Sequence, residues 1–176
     1  MNEDRFWQMI DAAWKASPEN VEFRRRLEAT IGDERKRESF VDRYFDEQNL
    51  GMIPLEERLL DALRSQLETL SQEDLIAFDR ILERALYEID REDVHASTDG
   101  SDDGFLYCRG FIVACGRPFY DAVNGDPENA LCDFECEEMC YLPHEIYEER
   151  FEGDLPDTDI SRESCSNATA WPSLKD

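Results

Sequence analysis

Between Ser101 and Tyr120 the apolar residues Phe105, Cys108, Phe111, Ile112 and Cys115 recur every third or fourth position. That period matches a helix burying one face and is incompatible with a strand, whose faces alternate every second residue. Ser101-Asp102-Asp103 supplies side-chain oxygens that can cap the start of this helix, and Gly116 offers a left-handed stop after it. Two bases sit awkwardly for solvation: Arg109 in the middle of the apolar helix and Arg117 just past its end. They are the cations expected to be held in fixed positions.

The same period runs through most of the chain. Asn2 can cap a helix burying Phe6, Ile10, Ala13 and Trp14, which ends near Ser17-Pro18 because proline disfavours helical geometry in the residue before it. Ser17 and Pro18 then suit the cap and first position of a second helix through Phe23, Leu27 and Ile31; Arg24, Arg25 and Arg26 fall off that stripe and can stay solvated. After Gly32 a third helical segment spans Asp33 to Gln48, followed by a loop from Asn49 to Pro54. Leu59, Leu60, Leu63, Leu67 and Leu70 define a fourth helix, and Ser71-Gln72-Glu73-Asp74 opens a fifth through Leu75, Phe78, Leu82 and Leu86; a tight turn predicts an antiparallel pair. Val94 to Gly100 reads as polar and flexible. Asn124 to Pro127 marks a break, and Leu131 to Phe151 is helical in period but divided or kinked at Pro143. No repeat and no strand alternation is visible. The expected fold is all-α: a compact multi-helix bundle forming one domain over residues 1–152, with residues 153–176 as a loose, acidic tail containing Ser, Thr and Pro.

Charge narrows the partners. The 176 residues hold 43 acids against 19 bases, a net of −24, so a phosphate backbone or an anionic membrane is repelled and a basic protein is the favoured partner. Residues 98–176 carry a net of −14 and residues 1–97 a net of −10, which places the docking face for such a partner in the C-terminal half. The opening Met1-Asn2-Glu3-Asp4 lacks a secretory pattern and no stretch approaches the roughly 20 apolar residues of a membrane span. A cytoplasmic setting is expected, in which the six cysteines are reduced thiols and small core hydrophobes.

Several of these residues together resemble a bacterial family of uncharacterised helical domains. They are Glu3-Asp4-Arg5-Phe6-Trp7 with Ile10-Asp11, Leu70-Ser71 to Leu86, Ser101-Asp102-Asp103-Gly104-Phe105, Arg109-Gly110, Ile112, Gly116-Arg117, Tyr120, Asp126-Pro127 and Cys136-Glu137-Glu138. The resemblance covers about two-thirds of the chain. It implies a helical bacterial domain and brings no activity with it. Two departures stand out: residues from about 19 to 57 read as a helical insertion after the first helix, and Asp93-Val94-His95-Ala96 stands where a Trp-containing segment is expected.

No constellation completes a known chemistry. Cys132, Cys136, Cys140 and His144 fall at intervals of four, but on a straight helix the outer two would lie about 18 Å apart, too far for one tetrahedral ion; buried thiols on an apolar stripe are expected, with no metal. His144-Glu145 with Glu148 lacks the second histidine of a metalloprotease helix, and no nucleophile elbow, phosphate loop or dinucleotide fingerprint appears, so no cofactor is expected. Asp102 and Asp103 serve as caps or, with Arg109 and Arg117, line a ligand pocket. The favoured reading is a protein-binding or regulatory module with a basic partner rather than an enzyme. The alternative is a small hydrolase or anionic-ligand-binding enzyme using Asp102, Asp103, Arg109 and Arg117. Convergence of those four side chains on an open cleft separates the two.

Overall fold

The helix starts follow their caps. Asn2 Oδ1 accepts from the Arg5 amide at 2.9 Å, Ser17 Oγ from Asn20 at 3.1 Å and Ser71 Oγ from Asp74 at 3.1 Å, each satisfying a donor that has no partner inside the helix. This computed structural model describes residues 1–49, 55–98, 101 and 104–175. Its helices are α1 (Glu3–Trp14), α2 (Pro18–Glu28), α3 (Glu34–Asn49), α4 (Leu55–Leu67), α5 (Gln72–Glu88), α6 (Glu92–Thr98), α7 (Gly104–Ala114), α8 (Arg117–Gly125) and α9 (Glu137–Arg150), and no strand occurs among the described residues. Short 3-10 turns lie at Pro127–Asn129, Ala168–Ala170 and Pro172–Lys175.

Helix α7 is the axis of the bundle. From Gly104 to Ala114 every residue except Tyr107 is buried, so the stripe expected on one face extends around the helix. It packs against α9, α5, α8 and α6. Against α9 the approach is close: a Cβ on Gly110 would stand 2.4 Å from the Cys136 carbonyl oxygen and 2.6 Å from Cys140 Sγ. At the far end Gly116 turns the chain into α8 with φ of 90°, a backbone region that side chains resist. Helices α1 and α4 pack on each other, with Phe6 and Ile10 of α1 and Leu63 and Leu67 of α4 all fully buried. Phe40 and Tyr44 of α3 reach the core through Phe134, whose ring lies 4.5 Å from that of Tyr44 and 5.0 Å from that of Phe111.

Four local expectations need correction. Helices α4 and α5 do not form an antiparallel pair; α4 packs chiefly on α1, and α5 on α9 and α7. The stretch read as flexible contains α6, where Val94 and Thr98 are fully buried and the Thr98 carbonyl accepts from the Asp133 amide at 3.2 Å. Helix α9 begins only at Glu137, not at Leu131, and Pro143, buried in the core, lies inside it without dividing it. Finally, the segment beyond Phe151 is irregular, as its composition predicts, yet it is not loose. Leu155, Arg162 and Trp171 are buried, and the chain lies across α5 as a strap. The expected loop from Asn49 to Pro54 falls mostly outside the described residues.

Candidate functional site

The strap is held by charged and polar groups of the bundle. On α5, Asp79 and Glu83 sit one turn apart, both buried, on the flank of the apolar row formed by Leu75, Phe78, Leu82 and Leu86. Two carboxylates in that position need a cation, because burying an unpaired charge costs several kcal/mol. Arg162 supplies it. Its Nη2 lies 3.1 Å from both Asp79 oxygens and 3.7 Å from Glu83 Oε1, while Nη1 donates to the Cys140 carbonyl of α9. Thr158 Oγ1 donates to Glu83. His144 Nδ1 stands 3.4 Å from Asp79 Oδ1 but makes no hydrogen bond.

A second anchor is Asp90, fully buried just past the end of α5. Its carboxylate accepts from the Cys165 amide at 3.0 Å, the Asn167 amide at 2.8 Å, Ser166 Oγ at 3.2 Å and Trp171 Nε1 at 3.1 Å. Four donors, all from the strap, offset the loss of water around this charge.

Arg109 lies between the two anchors. It is fully buried, its guanidinium 4.8 Å over the Phe105 ring, and it donates to the Leu86 carbonyl (3.0 Å), the Arg162 carbonyl (3.0 Å) and Ser164 Oγ (3.3 Å). Its Nε makes no hydrogen bond. Burial lowers its pKa, opposed by the field of Asp90. Arg109 thus ties α7 to α5 and to the strap.

Arg117 is placed elsewhere. About half exposed, it sits 3.0 Å from Asp4 and 3.8 Å from Glu3 at the start of α1, and 3.5 Å from Asp121 one turn along α8. The two arginines share no partner, and each ties helices together. Asp102 and Asp103 lie outside the described residues; next to them Ser101 Oγ accepts from the Gly104 amide at 3.1 Å, which is the cap expected of that block. Of the cysteine stripe, Cys136 and Cys140 are buried between α7 and α9, but Cys132 precedes the helix and is exposed. Burial pushes the Cys140 and Cys108 thiols up to about 12, which keeps both protonated and unreactive at neutral pH. Among the described residues no three His, Cys, Asp or Glu side chains group to hold a metal ion.

Residues 45–149 match the family of proteins of unknown function DUF4240. The chain belongs to the DUF4240 family. No curated protein and no solved structure matches it. The match divides the site unevenly: Asp79, Glu83, Asp90 and Arg109 lie inside the DUF4240 region, whereas Arg162, Ser164 and the strap lie beyond it. Of these residues only Arg109, a base amid apolar neighbours, stands out in the sequence. The signal for the rest was present in α5, where Asp79 and Glu83 interrupt an apolar row at helical spacing.

Proposed function

We propose that the DUF4240 domain of this chain is a protein-binding module that takes a basic, extended segment of a partner along α5, in the place its own strap occupies. The observation that carries this reading is the buried grip of Asp79 and Glu83 on Arg162. An arginine read by two carboxylates, flanked by backbone amides received on Asp90, is the chemistry by which an acidic surface recognises an arginine-containing peptide. The surplus of 43 acids over 19 bases draws such a partner in from solution and raises its association rate at low salt.

The strap competes with any such partner from within the same chain. Only residues 151–154 separate the end of α9 from buried Leu155, a short tether that gives the strap an effective concentration on the order of millimolar. A partner present at micromolar concentration must therefore bind about a thousandfold more tightly than the strap, or meet a chain whose strap has been released.

The test uses the full-length chain carrying Arg162→Ala, which loosens the strap, and a fluorescent peptide spanning residues 155–172. Anisotropy is expected to rise for the variant and less for the wild type; adding Asp79→Asn should remove the binding. A variant that stays folded and ignores the peptide would refute the groove reading. Affinity capture from the host at low and high salt then identifies the natural partner.

A further inference from the structure

Beside the strap, α5 carries two arginines that the rest of the molecule leaves alone. Arg80 and Arg84 stand one turn apart, exposed, and make no hydrogen bond or ion pair with any described residue. With 43 acids for 19 bases, the chain does not lack carboxylates to offer them. Arg84 even has Glu88 one turn further along its own helix, a spacing at which such groups pair. Glu88 is drawn to α8 instead, where its Oε2 accepts from the Tyr120 hydroxyl at 3.2 Å. On the other flank Asp157 and Asp159 of the strap border a second hollow with both arginines, yet neither forms an ion pair with them.

Both arginines edge a hollow of about 210 Å³ between α1, α5 and α8. Its apolar part is made by Trp7 and Tyr120, whose rings lie 5.1 Å apart, with Ile81 and Ala85 of α5. Two carboxylates complete the lining. Glu88 is held by the Tyr120 hydroxyl, and Glu3 Oε1 accepts from Trp7 Nε1 at 3.3 Å, with Arg117 a further 3.8 Å contact. The two aromatic donors therefore fix the negative groups beside the rings, while the two guanidinium forks stay separate from them. One small hollow thus holds two positive and two negative groups that do not neutralise one another by contact.

We propose that this hollow binds a free α-amino acid with an apolar side chain. The ligand carboxylate is taken by the planar forks of Arg80 and Arg84, and its ammonium by Glu88 and Glu3 beside the Trp7 and Tyr120 rings. The side chain covers Ile81 and Ala85. Two arginines against two carboxylates give the lining a formal charge of zero, which a zwitterion matches. A lone anion would meet the carboxylates, and a lone cation would leave the arginine forks unmatched. The volume lies below the roughly 300–1,000 Å³ of sites for drug-sized ligands, as a molecule of single-residue size requires. Glu3 and Trp7 of α1 lie outside the matched region 45–149 and the rest of the lining inside it, so the site joins the DUF4240 region to the first helix. It does not depend on the partner proposed for the strap.

The experiment is calorimetric titration of the full chain with L-phenylalanine at low salt. Binding is expected with a Kd on the order of millimolar or tighter, as suits so small a ligand. N-acetylation removes the ammonium and methyl esterification removes the carboxylate; each should weaken binding about tenfold or more. Glycine, which lacks the side chain, should bind about tenfold more weakly. The double variant Arg80→Gln/Arg84→Gln should weaken L-phenylalanine binding about tenfold or more, and both residues are exposed, so the variant keeps its fold. Arg25→Gln/Arg35→Gln, exposed on α2 and α3, changes the net charge equally and should leave the affinity within about twofold. Proteolytic release of the strap should keep its wild-type rate in the Arg80/Arg84 variant. Absence of binding, an N-acetyl, methyl-ester or glycine ligand as tight as L-phenylalanine, equal weakening by the two double variants, or faster strap release without Arg80 and Arg84 would each overturn the proposal.

Discussion

The joint between α7 and α9 and the joint between α5 and the strap are both buried, yet they are built from opposite materials. The first is backbone against backbone: Gly110 lets the Cys136 carbonyl come closer than any side chain would allow, and apolar residues close the rest. The second is charge against charge, with Asp79, Glu83 and Asp90 receiving Arg162 and the donors of residues 165–171. A packed backbone joint cannot open without cavities and lost contacts, so it belongs to global unfolding. A charged joint has an alternative state in which water solvates both sides. The difference predicts that the strap parts from α5 before α7 parts from α9, which is the property a displaceable occupant needs.

Breaking the first joint should have the largest effect. Gly110→Ala drives a Cβ into the Cys136 carbonyl and must push α7 from α9, at a cost of about 3 kcal/mol. Thermal unfolding should fall by roughly 6–12 °C for a chain of this size, with α7 and the strap affected together. Next comes Arg162→Ala. Leaving two carboxylates buried without a cation would cost about 3–5 kcal/mol, but strap release lets them hydrate, so the melting temperature should fall less than for Gly110→Ala while proteolysis after residue 152 accelerates strongly. Asp90→Asn keeps an acceptor but gives up the charge, and should cost about 1–3 kcal/mol of strap docking, seen as the same cleavage at a lower rate. Arg117→Ala touches only exposed partners and should change the melting temperature by no more than the loss of about 1 kcal/mol produces.

A pH series sharpens the same contrast. The thiols of Cys108 and Cys140 sit in the packed part of the molecule, and burial raises them to about 12 from an ordinary 9.0. The folded state holds these protons more tightly than the unfolded state. Their contribution is therefore complete below pH 9 and lost as pH rises from there toward about 12. Tyr120, raised by burial and by Glu88, acts in the same sense. The urea midpoint should decline across that window with the strap still protected, since the Cys140 thiol bonds to the Leu106 and Cys136 carbonyls rather than to the strap.

How much of this was legible in the sequence depends on what held each part. Helices with an apolar period and a side-chain cap, α1 after Asn2, α2 after Ser17 and α5 after Ser71, could be read directly because the signals are local. So could the special status of Arg109, a charge with apolar neighbours on both sides of its helix. The strap could not. Its buried apolar groups, Leu155 and Trp171, are too far apart to show a period, and its order comes from partners some eighty residues away. Helix α6 was hidden for a related reason: Val94 and Thr98 are a minimal apolar signal, fixed by the tie from Thr98 to Asp133. The sequence also places Arg109 and Arg117 eight residues apart without revealing that one faces α5 and the other α1.

Hydrogen exchange at the strap gives the most direct test of the central claim that the strap is a separable layer seated on α5. In the wild type the amides of Cys165 and Asn167, bonded to Asp90, should exchange through an opening that leaves α7 protected. Arg162→Ala should speed exchange across residues 158–171 by about a hundredfold or more, with the α7 amides unchanged. Equal acceleration of α7 and the strap would contradict the account, because the strap would then be part of the core rather than a segment that a partner can replace.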